Sequence, residues 1–214
     1  MRNLYKYILG LTLPVVLLAC SSAGGQTVTE IKAEPANIIS DGKYDTMIVA
    51  GGCFWCVESD FEKLDGVIEA VSGYTGGVTD NPTYKEVTYK DTGHYEAAEI
   101  TFDPSIVSYD ELLDYFWTTI DPTDPTGQFC DKGDSYRTAI FARPDQIDKA
   151  KQSLQIIKET KPFEASIITP VLKAARFYEA EDYHQDYYKK NPLKYKYYRT
   201  GCRRDARLKQ LWGK

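Results

Sequence analysis

The sequence predicts an α+β fold, a two-layer sandwich in which helices flank a mixed or antiparallel sheet. Three observations carry this. Segments with strand character alternate with helical ones, but without the regular βαβ count of a parallel sheet. One strand candidate, residues 94–102, partly alternates apolar with polar side chains, as a strand between two unlike environments does. The 214 residues, 43% hydrophobic and 27% charged, suit one globular domain with an adequate core.

Arg2 and Lys6 precede an apolar run over residues 7–19 that ends in Leu17-Leu18-Ala19-Cys20. The run is too short for an ordinary spanning helix and carries processing signals, so residues 1–19 read as a signal peptide. Leu17-Leu18-Ala19-Cys20 resembles a bacterial lipobox, which makes Cys20 the expected lipidation site and first mature residue. Ser21 follows, and nothing there suggests retention at an inner membrane. The expected location is therefore exported and lipid-anchored to the cell envelope, on the periplasmic side of the outer membrane. Residues 20–43 are small and polar, without an aromatic, and read as a flexible tether to a domain over residues 44–214. The formal charge is −5; without Arg2 and Lys6 it is 24 basic against 31 acidic residues, or −7. No basic patch stands out, so nucleic acid is not an expected partner.

Residues 44–50 end in apolar and β-branched side chains and read as a buried strand. Gly51-Gly52 marks a tight strand-to-helix turn, and residues 58–64 read as helix. Cys53 thus sits at or just inside a helix N-terminus, where free N–H groups and the helix dipole are expected to lower a thiol pKa. Residues 67–74 form a second strand, followed by a long loop over 75–82 by its Gly, Asn and Pro content. In the third strand, residues 94–102, His94, Glu96 and Ala98 share one face. Ser108-Tyr109-Asp110-Glu111 is a capping box that opens a helix with Leu112, Leu113, Phe116, Trp117 and Ile120 on its core side. A loop with Pro122 and Pro125 leads to Cys130 and Asp131, and residues 136–142 are a strand. Pro144 suits a first helical turn, with Ile147, Ala150, Leu154 and Ile157 on the buried side. Residues 166–169 and 174–178 are short strand candidates, and residues 179–190 read as helix stopped by Asn191-Pro192. The tail beyond is basic and aromatic with little periodicity.

With Cys20 assigned to lipid, Cys53, Cys56, Cys130 and Cys202 remain. Structural disulfides are the plain reading of an even count in an exported chain, and zinc is weaker because only one Cys-x-x-Cys exists. Neither of the two histidines pairs at metal-ligand spacing, so no metal is expected. Cys53 is the best nucleophile candidate, and three activities compete for it. A disulfide oxidoreductase would use Cys53 and Cys56 alone. A cysteine peptidase would need Cys53 with His184 and Asn191. The third is reduction of an oxidised sulfur substrate.

Gly52-Cys53-Phe54-Trp55, Gly73-Tyr74-Thr75-Gly76-Gly77, Asn81-Pro82-Thr83-Tyr84, Thr92-Gly93-His94-Tyr95-Glu96-Ala97, Ser135-Tyr136-Arg137-Thr138-Ala139-Ile140 and Ala180-Glu181-Asp182-Tyr183-His184-Gln185 follow one another in this order. Together they resemble the A-type peptide methionine sulfoxide reductases, over about residues 47–192 and more weakly to Trp212. The resemblance implies reduction of methionine S-sulfoxide, free or in proteins, in an α+β domain with a ferredoxin-like core. It implies no organic cofactor, a thioredoxin-like protein as reductant, and a chain expected to be a monomer. Cys53 is then the nucleophile towards sulfur, and Glu96, held protonated by apolar surroundings, the proton donor. Tyr84 and Tyr136 match phenols that hold the sulfoxide oxygen, and Phe54 and Trp55 match the wall that receives the methyl group. Asp131 and His184 match positions near the substrate. The resulting Cys53 sulfenic acid condenses with a neighbouring thiol. Cys56, one helical turn away, and Cys202, in a tail like those that carry resolving cysteines, are the two candidates. Cys202 is favoured as terminal partner, with Cys56 as a relay, and members with glycine at the Cys56 position differ from this chain there. Cys130 is expected to be a buried structural thiol, with a relay role the lesser alternative, and His94 a turn or core histidine.

Overall fold

A computed structural model describes residues 43–213. The signal peptide, Cys20 and the tether up to residue 42 lie outside the described residues. Five strands, β1 (Asp45–Gly51), β2 (Val67–Thr75), β3 (Tyr95–Phe102), and later β6 (Thr138–Ala142) with β7 (Val171–Lys173), build most of the main sheet. Two tiny strands, β4 (Gly127–Gln128) and β5 (Asp131–Lys132), form a separate hairpin, and β8 (Tyr178–Glu179) closes the far edge of the main sheet. The order is β7-β6-β1-β3-β2-β8. The middle four strands pair antiparallel in the ferredoxin-like order, and only β7 runs parallel to its neighbour β6.

Both faces of β1 are covered, which is why it reads as a continuous apolar run rather than an alternating one. Met47 and Val49 join the larger core, while Ile48 and Ala50 point the other way, into a smaller cluster with Ala97, Ala139 and Phe141. The larger core is made with α1 (Phe54–Phe61), α3 (Tyr109–Thr119) and α4 (Ile147–Thr160), the short α2 (Tyr84–Tyr89) lying elsewhere. Leu112, Leu113, Phe116 and Trp117 are all 0% exposed, each burial worth roughly 1.5–3 kcal/mol. The Trp117 indole N–H donates to Ser153 Oγ at 2.8 Å and ties α3 to α4. The Ser108 cap holds as the sequence indicates: its hydroxyl accepts from Glu111 N–H, and the Glu111 carboxylate accepts from Ser108 N–H.

Several elements differ from the sequence reading. Residues 84–89 form α2 inside what was expected to follow a long loop, opened by a second capping box between Thr83 and Glu86. Pro144 lies in a turn before α4 rather than in its first turn, since the cap is Gln146. Residues 166–169 are irregular, the strand β7 starting only at Val171, and the strand expected at 174–178 is reduced to β8 at its end. Helix over 179–190 is confined to α5 (Tyr187–Lys190), because Asp186 takes the left-handed φ of 53° and breaks any continuous turn. The tail forms two helices, α6 (Pro192–Gly201) and α7 (Arg204–Trp212), joined at Arg203, also left-handed at φ 56°. Among the described residues no helix is long and apolar enough to cross a membrane.

Candidate functional site

The turn after β1 needs glycine at its second position. Gly52 has φ +82°, and a Cβ there would lie 2.5 Å from the Cβ of Gln128 in β4. This close approach seats the β4–β5 hairpin against the helix start. Cys53 is the N-cap of α1 and 6% exposed, and Cys56, one turn on, is 2% exposed.

The expected lowering of the Cys53 thiol is not what the structure gives. Burial pushes the thiol well up, and neighbouring Cys56 and Glu96 add to the rise. The helix N-terminus does not offset this, because its first free N–H, that of Phe54, donates to Glu96 Oε2 at 3.1 Å instead. Cys56 carries the charge more easily. A hydrogen bond from Cys53 lowers it, Arg204 and Arg199 contribute further, and its pKa falls to about 7.

Glu96 points from β3 under the α1 N-terminus and is 2% exposed. Burial raises its carboxyl to about 8, against the lowering effect of the Phe54 N–H and the Tyr136 hydroxyl. At neutral pH it therefore holds a proton. Tyr136, in the 3₁₀ turn before β6, and Tyr84, at the start of α2, hydrogen-bond each other through their hydroxyls and both lie beside Glu96. Tyr84 is fixed by its backbone N–H, which donates to Glu181 Oε1 at 2.9 Å, while Tyr74 holds the other Glu181 oxygen at 2.9 Å. Both phenols are pushed up chiefly by burial, so they stay neutral donors.

Phe54, Tyr74, Val87 and Ala180 form a third apolar cluster, with Trp55 and Tyr84 packed on it. Trp55 stacks flat on Tyr187, centroids 3.7 Å apart, and its indole N–H donates to His184 Nδ1 at 3.1 Å. His184 is buried, and burial holds it below its ordinary pKa, so it is neutral with its proton on Nε2. That Nε2 has no hydrogen-bond partner among the described residues. Cys53, Glu96, Tyr84, Tyr136, Phe54, Trp55 and His184 thus lie around one site.

The match of a family model described as peptide methionine sulfoxide reductase covers residues 45–214. The chain belongs to the peptide methionine sulfoxide reductase family. Peptide methionine sulfoxide reductase MsrA 2 of Caulobacter vibrioides is 51% identical over 172 residues, which is 80% of this chain and 87% of that protein. MsrA of Bacillus subtilis is also 51% identical, over 80% of this chain and 97% of its own length. Among solved structures, Mxr1 from Saccharomyces cerevisiae in reduced form matches with a TM-score of 0.67 and 31% identity, covering 72% of this chain and 88% of that one.

Within this family member the remaining cysteines depart from expectation. Cys130 is exposed, not a buried thiol, and is joined to Cys202 in a disulfide that closes 72 residues of chain. It sits in the tight β4–β5 hairpin, whose two-residue strands have no room to enclose it. Cys53 and Cys56 are free. Cys202 is therefore bonded to Cys130 rather than to Cys53 in this state. Asp131, next to Cys130, is half-buried with its carboxyl raised by burial, and it accepts from the Tyr198 hydroxyl. His94 is a core histidine as expected: Nδ1 accepts from Gly77 N–H at 3.2 Å and Nε2 donates to Thr79 O at 2.8 Å.

Three contributors escaped the sequence reading. Tyr187 supports Trp55, Tyr198 reaches both Cys53 and Asp131, and buried Arg204 donates to Gly51 O and Thr119 O at 3.2 and 2.7 Å. All lie in α5 to α7, where apolar periodicity is weak. Among the described residues, two groups of side chains cluster closely enough to share an ion. In the first, Cys130 and Cys202 are spent on their disulfide. In the second, Glu58, Glu62 and Asp186 are engaged by Ser72, Tyr188 and Lys189.

Proposed function

We propose that the chain reduces the S-epimer of methionine sulfoxide, free or in proteins, to methionine, with a thioredoxin-like dithiol protein restoring its thiols. The observation that carries this is the buried Glu96 carboxyl, protonated at neutral pH, set between Cys53 and two neutral phenols. A sulfoxide presents an electrophilic sulfur and an oxygen that must take up a proton to leave it. Tyr84 and Tyr136 hold that oxygen with neutral hydrogen bonds, which strengthen as negative charge develops. Glu96 donates its proton to the oxygen as the Cys53 sulfur attacks, and the proton given up by Cys53 recharges Glu96. Two electrons pass from the Cys53 sulfur to the substrate sulfur, and the oxygen ends on Cys53 as a sulfenic acid. Cys56 condenses with it, forming a disulfide and releasing water.

Phe54 and the Trp55 ring, held by Tyr187 and His184, form the wall for the substrate methyl group. With the oxygen fixed at the phenols and the methyl group at this wall, only one sulfoxide epimer exposes its sulfur to Cys53. The sequence around Cys20 supports a lipid anchor at the envelope, tested by the mass of the mature N-terminal peptide. The test of the activity is turnover of separated epimers with a dithiol reductant. The S-epimer is consumed, the R-epimer is not, and Cys53→Ser abolishes turnover; comparable rates for both epimers, or an active serine variant, contradict the proposal.

A further inference from the structure

The Trp55 side of the pocket is backed by a segment with little stability of its own. Its helix, α5, has four residues, too few to hold a helical shape unaided. Its cap, Asp186, is left-handed at φ 53°, a conformation that a non-glycine residue keeps only when its surroundings enforce it. Two side chains of the segment reach Trp55. His184 accepts from the indole N–H at 3.1 Å, and Tyr187 stacks on the ring with centroids 3.7 Å apart and 7° between the planes. The placement of Trp55 therefore depends on whatever fixes the turn at Asp186.

Helix α1 supplies that anchor. Glu58, further down the helix that Cys53 caps, is 0% exposed. Its Oε1 accepts from the Asp186 N–H and its Oε2 from the Ser72 hydroxyl, both at 2.5 Å. Beside it, the Gln185 side chain accepts from Ser72 N–H at 2.9 Å and donates to Ser72 O at 2.8 Å, so the start of the segment stays on β2 without Glu58. Glu62 takes the Tyr188 hydroxyl and Lys189, but that lysine is 52% exposed and such a pair contributes little. Among these anchors Glu58 alone holds the backbone N–H of the left-handed residue, a group that is costly to leave without an acceptor. Burial raises the Glu58 carboxyl to about 7, and a proton taken up there keeps both contacts, because the Ser72 hydroxyl accepts as readily as it donates.

We propose that Glu58 is a positioning residue for the reductase: through Asp186 and Tyr187 it holds the Trp55 ring in place as the methyl wall, and so sets the affinity for the sulfoxide and the choice between its epimers. This rests on the reductase reading above and extends it to what fixes the wall. Glu58 acts through Trp55 and not on the reacting atoms. Its loss weakens substrate binding and leaves the chemistry at Cys53 and Glu96 in place, which is the signature of lost uniform binding. A glutamine at this position serves as well as the carboxylate, since its amide oxygen accepts from the Asp186 N–H and its amide N–H donates to the Ser72 hydroxyl.

The test is the single-turnover rate of methionine formation by the fully reduced full chain, measured over a range of concentrations of each epimer. Glu58→Met keeps the length of the side chain and removes the acceptor. Its half-saturating concentration of the S-epimer should rise about tenfold, the worth of one lost contact, with the maximal rate within about twofold of wild type. Its preference for the S-epimer should fall, and its tryptophan emission should shift, Trp117 and Trp212 packing in the other core and giving a constant background. Glu58→Gln should match wild type in all three readouts. Tyr187→Leu should reproduce the methionine variant, and the double variant should be no worse than either single one. Wild-type half-saturation in Glu58→Met, or additive losses in the double variant, overturns the proposal. So does about a tenfold loss of affinity in Glu58→Gln, a result that decides even where Glu58→Met does not fold. Each of these outcomes leaves the reductase reading intact, whereas no methionine from the wild-type chain overturns both.

Discussion

Replacing Glu96 by glutamine removes one proton and keeps the shape of the side chain. Burial lifts the native carboxyl from 4.5 to about 8. Between these values the unfolded chain has released the proton while the folded chain retains it, so rising pH favours unfolding through that interval. At about 1.36 kcal/mol per pH unit, the loss from this one group is on the order of 5 kcal/mol, complete by about pH 8. Glutamine has no such proton. Urea unfolding of reduced Glu96→Gln and wild type at pH 5 and pH 8.5 should therefore show the variant gaining on wild type as pH rises, by several kcal/mol. In single turnover at neutral pH the same variant should be slower by about 10²–10⁴-fold, the usual worth of a general acid. The gap should narrow above pH 8, where wild-type Glu96 has itself lost its proton. Parallel stability curves would refute the buried, protonated carboxyl, and an unchanged neutral rate would refute its role as acid.

Gly52→Ala should cost roughly 2–4 kcal/mol in urea unfolding, from its left-handed φ and the clash with Gln128, and a loss under about 0.5 kcal/mol would contradict the turn. Arg204→Lys keeps a positive charge but loses the two-pronged hold on Gly51 O and Thr119 O. Followed by thiolate absorbance, the Cys56 titration should move up from about 7, and an unmoved titration would mean that Arg204 does not support the charge. Trp55→Phe should lose about 1 kcal/mol of stability with the His184 hydrogen bond and raise KM for the S-epimer, whereas unchanged KM would remove the indole from the substrate wall.

What could be read from the sequence follows from where the signal is local. The Gly51-Gly52 turn, the Cys53 cap and the Ser108 box each express a backbone requirement within a few residues, and each is in the structure. Continuous apolar runs located β1 and β6 because both sheet faces are covered there. The tail did not yield. Helices α6 and α7 bury only Tyr195, Arg204 and Leu211, and are held by Arg199 on Asp60 and Asp205 and by Arg207 on Asp121. Ion pairs between distant segments leave no periodicity to read. The Cys53 pKa was misjudged for a related reason: the helix N–H meant for sulfur is taken by Glu96, from a strand 42 residues away. The Cys130–Cys202 bond likewise depends on two loops that only the fold brings together.

The account turns on oxygen transfer to the Cys53 sulfur. The full chain with Cys56→Ser and Cys202→Ser, reduced and given one equivalent of methionine S-sulfoxide in the presence of a sulfenic-acid trap, is read by peptide mass spectrometry. One adduct on Cys53 for each methionine formed is the predicted result, and methionine formed with Cys53 unmodified would contradict it.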